Sequence, residues 1–151
     1  MSTQHSTLTG SDLHEPKGVA SATANQLYVS NGSGSGAWTS IEVPLTTIIH
    51  DVSTAETVYV PTPYAGTITK VISVLEGAIG TADATITVKN AAGSSMGTLT
   101  VATASSAAGD IDTLVPASNN TVAADSFISI ETDGASTTAQ RLFITVILKR
   151  S

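Results

Sequence analysis

Asn31-Gly32-Ser33-Gly34-Ser35-Gly36, lying between Leu27-Tyr28-Val29 and Ala37-Trp38, is the stretch on which the fold of this chain turns. Glycine enters φ > 0 without steric penalty and the flanking runs have strand composition, so the patch predicts the turn of a β-hairpin. A flexible linker is the rival reading, because Gly and Ser bury nothing and behave as coil. On either reading the patch separates a front segment that cannot fold alone from a back segment that can. The expected division is residues 1–43, an arm and hairpin, and residues 44–151, a β-domain.

Working outward toward the N-terminus, residues 1–9 show no apolar periodicity and residues 19–24 are small and nearly featureless. Such a stretch gains order only by lying on another surface. Ser11 is suited to cap a helical turn with Asp12 and Glu15 near its positive end, and Pro16 stops it. Two readings remain open: a docking arm whose apolar contacts come from Leu8, Leu13, Val19 and Leu27, or a terminus with no fixed shape.

Toward the C-terminus the pattern is β throughout. Strands are expected over 38–43 and 46–52, separated by Pro44, a residue that suits a strand start or a sheet edge. Another is expected over 56–60, ended by Pro61 and Pro63. Over 67–75, strict alternation puts Ile68, Ile72 and Val74 on one face and Val71 and Leu75 on the other. Residues 85–89 alternate as a strand with one wet face, and 90–93 have turn chemistry. A short strand over 98–102 precedes a polar loop over 103–112, a turn over 116–120, a strand over 126–131 and a turn signal at Asp133-Gly134-Ala135-Ser136. The last strand, 141–148, carries Leu142, Ile144, Val146 and Leu148 on one face and Phe143, Thr145 and Ile147 on the other. A strand apolar on both faces is central or meets a neighbouring subunit.

Many short strands without a helical period indicate an all-β fold, an antiparallel β-sandwich of jelly-roll form preceded by the extended arm and the hairpin. Hydrophobic residues make up 41% of the 151, yet only 4% are aromatic and 12% charged. Burying one Leu, Ile or Phe is worth roughly 1.5 to 3 kcal/mol, and large aromatic areas are scarce, so association would add what the core lacks. A closed homotrimer lets two-faced strands cover one another.

The charge of −6, with only six basic residues, argues against a nucleic-acid partner, whose phosphates require Lys and Arg. Cysteine is absent, so no disulfide, thiolate nucleophile or Cys-based zinc site is expected. No apolar run reaches the roughly 20 residues of a membrane span, and Met1-Ser2-Thr3-Gln4-His5 lacks the features of a signal peptide, so no membrane partner and assembly in a cytoplasm are expected.

The histidines His5, His14 and His50 lie far apart. His50 and Asp51, neighbours in a strand, point to opposite faces and are poorly placed to act together as a general base. Asp110 and Asp112 share a face if extended and are able to ligate calcium with a third carboxylate, but solvated loop carboxylates fit them better. The glycine patch lacks the Lys-Ser/Thr ending of a phosphate cradle. No paired carboxylates mark a glycan-cleaving cleft. A non-enzymatic protein without metal or cofactor is therefore expected. Among aromatic platforms for a glycan, Tyr64, in a proline-bounded segment, is expected to be the most exposed, while Trp38 is expected to be buried.

The run Leu8-Thr9-Gly10-Ser11-Asp12-Leu13-His14-Glu15-Pro16-Lys17-Gly18-Val19-Ala20, followed by Leu27-Tyr28-Val29-Ser30-Asn31-Gly32 and the patch up to Trp38-Thr39, resembles the N-terminal module of tailed-bacteriophage virion proteins, among them head decoration proteins and head fibres. Val60-Pro61-Thr62-Pro63-Tyr64-Ala65-Gly66-Thr67-Ile68, with Ala108-Gly109-Asp110-Ile111-Asp112 and Asn119-Asn120-Thr121-Val122, is similar to the β-domain that follows it. The resemblance implies a virion protein on the capsid exterior, held on the major capsid protein by an arm including Leu8, Leu13, His14, Pro16, Val19 and Leu27. It implies a β-domain projecting as a homotrimer, with Leu142, Phe143, Ile144, Val146 and Ile147 in its interface or core. The alternative is a fibre module binding a host receptor or surface glycan, with Tyr64 as a contact.

Overall fold

A computed structural model describes residues 22–33 and 36–151, which form eleven strands and no helix. The chain divides into two compact units between Ile41 and Glu42. In the first, β1 (Gln26–Ser30) pairs antiparallel with β2 (Gly36–Ser40). The hairpin reading holds and the linker reading falls, for local reasons. The Asn31 side chain accepts from the Ser33 N–H at 2.9 Å, the Ser30 hydroxyl accepts from the Gly32 N–H at 3.1 Å, and Gly32 takes φ +75°. Tyr28 and Trp38 are cross-strand partners that meet edge to face with ring centroids 5.4 Å apart. The Ile41 N–H donates to the Asn25 carbonyl and closes the open end. The turn expected at Ser11 and the arm residues Leu8, Leu13, His14, Pro16 and Val19 lie outside the described residues.

The second unit contains β3 (Glu42–Ile49), β4 (Glu56–Thr62), β5 (Gly66–Leu75), β6 (Ala84–Asn90), β7 (Ser95–Val101), β8 (Ile111–Leu114), β9 (Thr121–Val122), β10 (Ser126–Thr132) and β11 (Leu142–Arg150). One antiparallel sheet runs β3-β11-β5-β8, with β9 also on β5; the other runs β4-β10-β6-β7. First strand beside last in one sheet and second beside next-to-last in the other is the strand order of a jelly roll. Inward residues of both sheets form a single core, including Ile49, Val60, Ile68, Ile86, Ile130 and Ile144. That core is aliphatic, and no aromatic side chain is in it.

Prolines and bulges explain where the strands depart from expectation. Pro44 interrupts nothing: β3 runs through it as an edge strand, because its missing N–H falls on a sheet margin. Pro61 is likewise carried inside β4, the edge of the other sheet. In β5 strict alternation fails. Ile68 faces Leu148 and Lys70 faces Ile147, so Thr69 is an extra residue whose hydroxyl donates to the Ile147 carbonyl at 3.4 Å. The bulge reverses the faces: Ile68, Val71 and Leu75 are buried, whereas Ile72 and Val74 turn outward. The loop expected over 103–112 ends early, because 111–114 form β8 on β5. Asp133-Gly134-Ala135-Ser136 makes no hairpin and instead begins the crossing from β10 in one sheet to β11 in the other.

Candidate functional site

Alternation along β11 divides the predicted interface-or-core set in two. Leu142, Ile144 and Val146 are at most 2% exposed and belong to the core, while Phe143 and Ile147 stand on the opposite face. Phe143 is 41% exposed. On that outer face the register places Ile48 beside Phe143, Phe143 beside Val74, and Val74 beside Ile111. One apolar row thus crosses four of the sheet's five strands. The next rows are Thr46, Thr145, Ile72 and Thr113, then Pro44, Ile147 and Lys70. Contiguous exposed apolar side chains are a general feature of protein interaction surfaces.

At the β3 end of the row lies a groove of about 700 Å³, lined by Thr46, Ile48, His50, Tyr59, Phe143 and Thr145, among others. Its ordered polar element is His50 with Glu56. The His50 backbone N–H donates to Glu56 Oε2 at 2.9 Å, and His50 Nδ1 lies 2.9 Å from Oε1. Burial pushes the Glu56 carboxyl up, but the bonds and charge of His50 outweigh it, and the group sits below the usual glutamate range. The carboxylate engages Nδ1, so the other ring nitrogen, Nε2, points away from Glu56. The pair can orient an imidazole to bind a hydroxyl group.

The expected neighbour, Asp51, does something else. Its carboxyl is lowered by the hydroxyl of Ser53, 2.6 Å away, and by the Ser53 N–H, and it caps the loop after β3. Glu56 was missed because it follows His50 by six residues across a turn, and spacing alone does not bring them together.

Tyr59 is 65% exposed and meets Phe127 edge to face at 5.4 Å, giving two rings on the outer face of the second sheet. Tyr64 is less exposed, at 41%, and the Arg150 guanidinium sits 4.0 Å over its ring. Tyr59 therefore replaces Tyr64 as the most open aromatic platform. Trp38 is half-buried against Tyr28, short of the burial expected of it. Leu27 is 58% exposed on β1, beside Val29 at 52%. Asp110 and Asp112 are not both free loop carboxylates, since Asp112 lies in β8 and one of its oxygens is buried. Among the described residues no three His, Cys, Asp or Glu side chains converge.

No protein-family model, curated protein or solved structure matches the chain.

Proposed function

We propose that this chain is a non-enzymatic structural protein of a tailed-bacteriophage virion, assembled in the host cytoplasm and decorating the capsid exterior. Its N-terminal arm, with Leu8, Leu13, His14, Pro16, Val19 and Leu27, binds the major capsid protein, and its jelly roll associates as a homotrimer. One observation carries the reading: the chain splits at Ile41 into a small hairpin unit showing Leu27 and Val29 to solvent, and a sandwich with a closed core of its own. A unit without a core is suited to take its order from a host surface, and a trimer multiplies three weak attachments through effective concentration. The outer face of β11, with Phe143 and Ile147, is the surface for the trimer contact. Deleting residues 1–25 is expected to leave a folded trimer that no longer co-sediments with capsids. Full occupancy of particles by the truncated chain would overturn the attachment reading.

The open ring of Tyr59 and the groove beside it favour a second reading, a fibre module that binds a host-surface glycan. Stacking on Tyr59 with hydroxyl contacts to His50 would hold a sugar ring. A glycan array with the full chain and with Tyr59→Ala separates the two readings. Binding lost in the variant supports the glycan module, and an array without signal supports decoration alone.

A further inference from the structure

We propose that Asp110, Asp112 and Ser73 form a calcium site at the β5–β8 edge of the sandwich. Ser73 and Asp112 are directly opposed across the β5–β8 pairing. Both lie on the inward side: Ser73 alternates with Val71 and Leu75, and Asp112 alternates with Leu114, which packs on the core. Ser73 is 1% exposed. Its Oγ and the Asp112 Oδ2 are the two buried side-chain polar atoms that lack a hydrogen-bond partner among the described residues.

Elsewhere in the domain buried hydroxyls find partners: Thr62 donates to the Ala123 carbonyl at 2.9 Å and Ser136 to the Thr138 carbonyl at 3.4 Å. Two orphaned oxygens on facing residues therefore call for a shared third group, since an unmet buried polar atom is costly. Among the described residues no ion pair reaches Asp110 or Asp112: the pairs are His50–Glu56, Lys89–Glu131 and Arg141–Glu76. Asp110 stands two residues before Asp112, and its Oδ1 accepts from the Ile111 N–H at 3.1 Å.

A bound cation relieves this cost by accepting the orphaned lone pairs of Ser73 and Asp112. The donors are all oxygen, which selects a hard ion over a transition metal. Two of the donor atoms are buried, so the ion must shed water to reach them. Calcium does this with flexible geometry, whereas magnesium gives up its water reluctantly. Two carboxylates and one hydroxyl leave the remaining positions to main chain and water, which places affinity at the weak end, about 10⁻⁴ to 10⁻³ M.

The test is thermal unfolding of the full chain, stripped with a chelator, in 10 mM calcium chloride, 10 mM magnesium chloride, or sodium chloride of matched ionic strength. Calcium alone is expected to raise Tm by about 5 °C. Asp112→Asn is expected to abolish the rise and Ser73→Ala to reduce it. Without calcium, Asp112→Asn should melt no lower than the parent, because it removes a charge whose buried oxygen has no hydrogen-bond partner, so its lost response reports the site. Calorimetric titration of the unmodified chain should show one calcium per chain. An equal shift in sodium chloride, a full calcium response in Asp112→Asn, or no heat in the titration overturns the proposal.

Discussion

The hairpin over 26–40 and the sandwich Glu42–Ser151 are both antiparallel β, yet different forces hold them. In the hairpin the largest aliphatic side chains, Leu27 and Val29, are more than half exposed, and closure rests on a turn and one aromatic pair. In the sandwich, Leu142, Ile144, Val146 and Leu148 of one strand are at most 2% exposed. Isolated two-stranded hairpins are marginal in water, whereas two sheets closed on an aliphatic core are stable. The difference teaches that strand pairing gives shape and burial gives stability, and this chain separates the two at Ile41.

The strongest way to break the comparison is Ile144→Ala, which opens a cavity beneath the strand paired on both sides by β3 and β5. We expect a loss of about 2 to 5 kcal/mol in urea unfolding followed by far-UV circular dichroism. Trp38, the one tryptophan, lies in the hairpin and reports it separately by fluorescence. The two signals should melt apart, and coincident transitions in parent and variant would show a single cooperative unit.

Gly36→Ala is the converse experiment, aimed at the hairpin alone. A methyl group there would run into the Val29 carbonyl and reach within 2.9 Å of the Tyr28 ring. Overpacking of this kind costs about 1 to 3 kcal/mol, enough to open a marginal hairpin. Trp38 emission should shift toward that of a solvated indole while the circular dichroism transition of the sandwich stays in place.

Phe143→Asp tests one side chain against its neighbour on the same strand. Where Ile144 supports the core, Phe143 faces out, so the charge should leave the monomer folded and, if the proposed trimer forms in the parent, convert it to monomers in sedimentation velocity. A variant that sediments with the parent would remove the outer row from the proposed contact.

The smallest effect is expected at Glu56→Gln, about 0.5 to 1 kcal/mol at pH 7. The folded carboxyl titrates below its ordinary value near 4.5, so the unfolded chain takes up protons first as pH falls. Its contribution is therefore complete at neutral pH and is lost as pH drops through the folded value. Parent and variant should converge in stability in acid; a constant gap between them would mean that the His50 contacts owe nothing to the charge.

Much of the jelly roll was legible because its causes are local. Clean alternation in β6 names Ile86 and Val88 as inward whatever the rest does, and Pro44 marks a sheet margin through its missing N–H, whereas β11, apolar on both faces, left core and interface undivided until the sheets were paired. Asn31 and Gly32 carry the hairpin turn in their own side chain and backbone freedom. What sequence could not show depends on pairing between distant segments. The inserted Thr69 exists only relative to Ile147 and Leu148, and it sends Ile72 and Val74 outward against the local period. Likewise Glu56 reaches His50, and Asp112 faces Ser73, only once turn and register are set. Alternation is a property of one strand, but register belongs to two, and the candidate sites of this protein lie where strands meet.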